Sequence, residues 1–198
     1  MPRRVSALTA SAVLLALGSL PVSAQPPNPA TNIRYQITFD SATAAERKAR
    51  IGMRFDVARA GPVLLSLPAW TPGAYELSNY ARKVSNFSAS GPGGPLDWDK
   101  TDYDTWRVRA AAPGTVSVEF DFLADSLDNA MAWSKDDFLL LNGTNVFPYP
   151  EGLGMEFAAR VSVTTAPGWQ VVSGLDGDGG PGRYRAANYH DLVDMPFF

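Results

Sequence analysis

The chain has 198 residues, enough for one domain of ordinary size and cramped for two. It has no cysteine and one histidine, which excludes a disulfide framework, a thiolate metal site, a cysteine nucleophile and the paired histidines of an H-E-x-x-H zinc helix. Hydrophobic residues make up 45% and charged residues 19%, a folding composition, and the formal charge of -3 lacks the basic excess that nucleic acid selects.

Residues 1–24 read as a secretory signal peptide. Arg3 and Arg4 give a positive start, Val5 to Leu17 is an apolar stretch too short to span a bilayer, and Val22-Ser23-Ala24 is a small-residue cleavage site after the helix-breaking Pro21. Cleavage near Ala24 takes the formal charge from -3 to -5 and sends the mature chain to the periplasm or the exterior. A lipoprotein anchor would need a cysteine. Residues 25–32 follow as a flexible, proline-rich leader, and the folded part is expected over 33–198. An exported domain with no disulfide must be held by its core.

From Ile33 onward the pattern is alternation punctuated by turns. Ile33 to Phe39 alternates with apolar odd positions, and Ile51, Met53, Phe55 and Val57 do the same. Val63 to Leu67 is ended by Pro68, and Val84 to Ala89 runs into Gly91-Pro92-Gly93-Gly94-Pro95. Thr105 to Val108 and Val116 to Leu123 are expected to pair as a hairpin over Ala111-Ala112-Pro113-Gly114. Phe138 to Leu141, Ala159 to Thr164, Val171-Val172 and Tyr184 to Ala187 complete the series, with one helical turn possible over Ala42 to Lys48. Many short strands with one apolar face must pack sheet on sheet or close up. The expected fold is all-β, a β-sandwich of short antiparallel strands, with a partly open β-barrel as the alternative.

Little here has the makings of a catalytic centre. His190 is the single imidazole, and no G-x-S-x-G nucleophile elbow accompanies it. Asp97, Asp99, Asp102 and Asp104 crowd one segment, but Lys100 and Thr101 interrupt any calcium-loop spacing, and a solvated loop explains them. Asp176-Gly177-Asp178-Gly179-Gly180 suits a hairpin turn. Of the five tryptophans, Trp106 alternates with Val108 as a core residue would, whereas Trp70 and Trp133 lie in loop-like stretches and are surface candidates. The most distinctive stretch is Leu67-Pro68-Ala69-Trp70-Thr71-Pro72-Gly73-Ala74-Tyr75. Pro72-Gly73 suits a type II turn, Trp70, Tyr75 and Tyr80 bracket it, and Arg82 follows. Such a loop either docks a partner or plugs one end of its own sandwich.

That stretch, LPAWTPGAYELSNYARKVSNFSA, resembles the P-x-W-x-P-G-x-Y…A-R segment in the N-terminal domain of M61 metallopeptidases, the glycyl aminopeptidase family. Leu96 to Thr101, Thr105 to Val108, Leu141-Asn142-Gly143-Thr144, Pro167-Gly168-Trp169 with Gly174-Leu175, and Asn188 to Pro196 resemble further family segments in the same order. The resemblance covers residues 33–198. It implies a β-rich domain that precedes, in whole family members, a helical catalytic domain bearing H-E-x-x-H and zinc. Phe198 falls where that domain would begin, so no catalytic residue, metal ligand or cofactor carries over, and zinc is expected only in the catalytic domain.

The implied function is that of a non-catalytic domain of an exported M61-type zinc metallo-aminopeptidase, packing against the catalytic domain and shaping its cleft. The catalytic domain is the expected partner, in cis or in trans, and peptide substrate is a second. Candidate interface or ligand-contact residues are Trp70, Pro72, Gly73, Tyr75, Tyr80, Arg82, Trp133, Tyr189 and Asp194. Met195 to Phe198 reads as a bare apolar tail awaiting that partner. The alternative is a stand-alone envelope module that binds peptide or glycan through Trp70, Trp133 and nearby aromatics.

Overall fold

The computed structural model describes residues 29–198 apart from Pro72, Ala74 and Asn129. The expected signal peptide, residues 25–28 of the expected leader and Pro72 therefore lie outside the described residues, while the end of that leader is corrected, since β1 already begins at Ala30. In chain order the elements are β1 (Ala30–Phe39), α1 (Ser41–Ala45), β2 (Lys48–Val57), β3 (Gly61–Ser66), a 3-10 turn (Tyr80–Lys83), β4 (Val84–Gly91), β5 (Gly94–Pro95), β6 (Trp98–Lys100) and β7 (Thr105–Ala110). There follow β8 (Gly114–Leu123), β9 (Trp133–Lys135), β10 (Phe138–Leu140), α2 (Gly143–Val146), β11 (Tyr149–Pro150), β12 (Ala159–Thr165), β13 (Asp176–Gly177), β14 (Arg183–Ala186) and α3 (Tyr189–Asp194). No described helix is long and apolar enough to cross a membrane.

The strands form an eight-stranded sheet in the order β13-β14-β12-β1-β2-β8-β4-β5, a four-stranded sheet β11-β3-β7-β6, and the small hairpin β9-β10. Neither large sheet closes into a barrel, so the sandwich reading holds over the barrel. The alternation seen in the sequence is the reason. On β1 the side chains of Ile33, Tyr35, Ile37 and Phe39 are buried, while Arg34 and Gln36 face out. On β2 the inward set is Ala49, Ile51, Met53, Phe55 and Val57. These pack against Val63 and Leu65 of β3 and Val108 of β7 in one continuous core. Each large apolar side chain so buried contributes about 1.5–3 kcal/mol of transfer free energy. Phe87 of β4 ties the sheets together, with its ring stacked 5.2 Å from Trp106 of β7 and 6.3 Å from Phe120 of β8.

Two expectations of pairing are corrected. β7 and β8 do not form a hairpin: β7 pairs with β3 and β6, and β8 with β2 and β4. The turn after Ala110 carries the chain from one sheet to the other. The link from β2 to β3 crosses beside it, since Val57 lies opposite Gly114 and Gly61 opposite Ala110. Pairing is also not antiparallel throughout, because β1 and β12 run parallel, with Arg34 opposite Arg160. More than a hundred residues separate these two strands, ample for the crossover that a parallel pair requires.

Shorter features follow local chemistry. The helical turn expected near residue 42 is α1, started by Asp40, whose carboxylate accepts from the backbone N–H of Ala42 and Thr43, each at 3.0 Å. Of the Asp-Gly stretch, Asp176-Gly177 is β13 itself, and the turn to β14 begins at Asp178. Val171-Val172 forms no strand among its neighbours; Val172 instead exchanges two 2.9 Å backbone hydrogen bonds with Phe198.

The end of the chain does not form the bare tail expected from its apolar residues. Phe197 is buried, bridges to both Leu141 and Ser173, and meets the rings of Phe147 and Tyr184 at 5.9 and 5.5 Å. A side chain of that size finds more apolar contact between these segments than solvent allows, so the segment folds back and is held there by isolated β-bridges.

Candidate functional site

The segment from Pro68 to Asn79 leaves β3 and returns to the 3-10 turn at Tyr80. Its neck is closed by the carbonyl of Ala69, which accepts from the backbone N–H of Ser78 at 2.9 Å and of Asn79 at 3.0 Å. Asn79 takes the left-handed conformation at φ 49°, which asparagine tolerates better than most residues. Gly73 sits at φ +90°, a conformation that suits glycine at the turn position the sequence assigned to it.

The base of this loop is polar and fastened. Tyr80 is fully buried, and its hydroxyl shares a hydrogen bond with Thr71 Oγ1. Thr71 Oγ1 in turn lies 2.8 Å from Thr144 Oγ1 on α2. Above the base the loop is open, with Trp70 at 47%, Leu77 at 72% and Tyr75 at 92% exposure and the charged Glu76 exposed between the last two. A stiff base beneath exposed aromatic and aliphatic groups presents contact area at low ordering cost.

A second loop is held by the same short helix. The side-chain amide of Asn145 donates to the carbonyl of Ala130 at 2.9 Å, and that of Asn142 donates to Met131 at 3.2 Å. This fastens the 126–132 segment, whose Leu127 is 65% exposed. Both loops are therefore fastened to α2 or its N-cap, and Trp70, Tyr75, Leu77 and Leu127 are exposed large apolar side chains that they carry. The Oδ1 of the fully buried Asn145 has no hydrogen-bond partner among the described residues. Lys83 and Asp125 pair at 2.6 Å beside this region, and the Lys83 ammonium holds the Asp125 carboxyl below its ordinary range.

The structure brings only part of the expected set together. Trp70, Gly73, Tyr75 and the exposed Arg82 belong to the loop or its exit. Tyr80 anchors the loop from within and has no surface to offer a partner. Trp133 is half-buried on β9, 5.8 Å from the ring of Phe138 and with Lys135 Nζ 4.8 Å from its ring centre, and it lines a different hollow with Arg47 and Asp136. Tyr189 is buried; its hydroxyl donates to the Phe147 carbonyl at 2.6 Å, and burial raises its pKa well above the ordinary phenol value. Asp194 is exposed at the end of α3. The 189–196 segment therefore packs on its own domain through Tyr189 and Leu192, leaving its polar side outward.

Asn142 and Thr144 stand in the sequence only as part of a family-like segment, and nothing there marks them, or Asn145, as the residues that hold the two loops. The available signal was the polar run Asn142-Gly143-Thr144-Asn145 between the apolar Leu141 and Val146-Phe147. Its glycine is what lets α3 come close: a Cβ at Gly143 would stand 2.5 Å from Val193 Cα and 2.7 Å from the Leu192 carbonyl oxygen.

The crowded acids around β6 make no cation site. Asp99 is paired with Arg107 and, at 2.8 Å, with Arg109, and Asp102 accepts from the Tyr103 backbone at 2.6 Å. Among the described residues no group of three or more His, Cys, Asp or Glu side chains is placed to hold a metal. With one histidine and no cysteine in the sequence, this donor set does not fit a catalytic zinc.

Comparison with known proteins follows this architecture. Residues 34–198 match the peptidase M61 N-terminal domain. An aminopeptidase N family protein from Idiomarina loihiensis superposes with a TM-score of 0.76 at 23% identity, over 83% of this chain and 28% of that one. A zinc metallopeptidase of the M1 type from Deinococcus radiodurans matches at a TM-score of 0.47 and 12% identity, over 87% of this chain and 42% of that one. Yeast LTA4 hydrolase in complex with bestatin gives 0.45 and 10%, over 93% of this chain and 32% of that one. No curated protein matches the sequence. This chain thus spans less than half the length of each of these structures. With nearly all of its described residues matched, the chain belongs to the peptidase M61 N-terminal domain family.

Proposed function

We propose that this chain is the non-catalytic β domain of an exported M61-type zinc metallo-aminopeptidase, and that it packs against the catalytic domain and shapes one side of its cleft. The observation that carries this reading is the Trp70–Leu77 loop, which exposes Trp70, Tyr75 and Leu77 and is fastened at its base through Thr71, Tyr80 and Thr144. Exposed large apolar groups on a fastened loop suit a domain interface. Family membership and the chain's share of a longer aminopeptidase N family protein support the same assignment. Zinc and the activated water belong to the catalytic domain, since these residues do not fit the metal.

Two assays test the proposal. The purified chain supplied with zinc should release no product from glycyl or alanyl amides, and zinc-dependent turnover would refute it. N-terminal sequencing of the native protein should begin near Gln25, and an intact Met1 would refute export by signal cleavage. A second reading, a stand-alone envelope module for peptide or glycan, is favoured by the Trp133 hollow alone. It predicts saturable quenching of tryptophan fluorescence by oligosaccharide or peptide in the absence of any peptidase domain.

A further inference from the structure

The outer face of the eight-stranded sheet carries a row of four arginines that no single stretch of sequence reveals. Arg54 on β2 stands opposite Arg34 on β1, Arg34 opposite Arg160 on β12, and Arg160 opposite Arg185 on β14. Each is exposed between buried neighbours, so all four point to the same outward face. Adjacent strands lie roughly 4.8 Å apart, which makes the row about 14 Å long. Like charges in direct cross-strand register repel one another.

The row is only half neutralised. Arg160 pairs with Asp178 at 3.1 Å and Arg185 with Asp176 at 3.4 Å. Arg34 and Arg54 make no ion pair among the described residues. The carboxylate of Asp56, in the field of Arg34, accepts hydrogen bonds from Asn32 at 2.8 Å and Thr115 at 2.6 Å.

Two hollows meet at Arg34. One, of about 160 Å³, lies over Gly52 between Arg34 and Arg54, with Glu119 on its far side. The other, of about 790 Å³, is lined by the apolar Ile33, Leu153 and Phe157 together with Arg34, Arg160, Arg185 and Asp176.

We infer that this face binds an acidic peptide segment, with carboxylates on Arg34 and Arg54 and an apolar side chain in the larger cavity. Charge complementarity selects the carboxylates, which the guanidinium fork receives in bidentate fashion. The narrowness of the row selects a linear ligand: Asp56, Glu119, Asp176 and Asp178 flank it and would oppose a broad anionic plane such as a membrane. The apolar part of the larger hollow, at Ile33, Leu153 and Phe157, selects a peptide over an acidic glycan, which has no side chain to set against it. The inference stands apart from the proposed docking of a catalytic domain, which uses the opposite chemistry on a different surface.

The test is fluorescence anisotropy with the full chain and a labelled peptide of alternating Glu and Leu. Binding should weaken steeply between low and physiological salt. The Gln-for-Glu version of the peptide should bind at least about tenfold more weakly, and R34Q/R54Q should lose about tenfold while Arg109→Gln on the other sheet loses nothing. Equal binding of the amide peptide, or undiminished binding by folded R34Q/R54Q, would overturn the inference. So would tighter binding of a uronate oligomer or of vesicles containing anionic lipid than of the acidic peptide. Should R34Q/R54Q not fold, the comparison of acidic and amide peptides on the native chain still decides.

Discussion

The hydroxyl of Tyr189 donates to the carbonyl of Phe147 across 2.6 Å, and both residues are buried. Beside it Tyr35 donates to the next carbonyl, that of Pro148, at 2.7 Å. Two tyrosines from distant parts of the chain thus satisfy consecutive carbonyls of the segment that leaves α2. Burial raises both phenol pKa values, so both remain protonated donors at any ordinary pH. Tyr189→Phe keeps the ring and strands the carbonyl, which costs about 1–3 kcal/mol. Urea unfolding should show that loss as a lower midpoint at unchanged slope, and an unchanged midpoint would mean the bond contributes nothing.

Gly143→Ala is expected to be more disruptive than a helix alanine ordinarily is. Propensity alone favours alanine by about 1 kcal/mol in a helix. Here the added methyl meets the backbone of Leu192 and Val193, which cannot step aside without moving α3. We predict a net destabilisation of about 1–3 kcal/mol, read as a lower melting temperature, from overpacking a closed contact. A stabilised variant would contradict the placement of α3 on α2.

Stability should fall in acid. The Asp40 carboxyl is held low by the backbone N–H of Thr43, Asp56 by the Thr115 hydroxyl and then Asn32, Asp99 by Arg107, and Asp125 by Lys83. A carboxyl whose folded pKa lies below its unfolded value binds fewer protons when folded, so its stabilisation is complete above the unfolded value near 3.9 and disappears as pH falls through the folded value. The urea midpoint should therefore be level from neutrality to about pH 5 and drop below about pH 4. A midpoint that rises on acidification would contradict these pairings.

Much of the sandwich was legible and its wiring was not. Ile33 to Phe39 alternates so regularly that β1 and its buried face follow directly, and β2 reads the same way. Alternation does not say which strand lies beside which. The turn after Ala110 looks like a hairpin in sequence, yet its two strands belong to different sheets because the neighbouring β2–β3 link crosses there too. The register that lines up Arg34, Arg54, Arg160 and Arg185 is a product of the same long-range pairing. At the candidate site, Trp70 and Tyr75 were legible as a stiff aromatic turn. Tyr80 and Tyr189 were misplaced to the surface, because an aromatic next to polar residues reads as exposed until its hydroxyl is seen to have a buried partner.

Trp70→Ser with Leu77→Ser should leave folding intact, since both side chains are largely exposed. Surface changes of this kind alter stability by less than about 0.5 kcal/mol. The same pair should weaken association with an M61 catalytic domain by about tenfold or more, the loss typical of interface anchors. Calorimetry of the wild-type and double variant against that domain separates the two effects, and equal affinity would remove the loop from the interface.

The central claim is that the Trp70 loop faces a peptidase catalytic domain. A photo-crosslinking amino acid placed at position 70 and activated in intact cells, with the captured peptide sequenced by mass spectrometry, tests this most directly. The expected result is a crosslink to a domain bearing H-E-x-x-H, in the same polypeptide or a separate one. A crosslink to glycan or to a protein without that motif would contradict it.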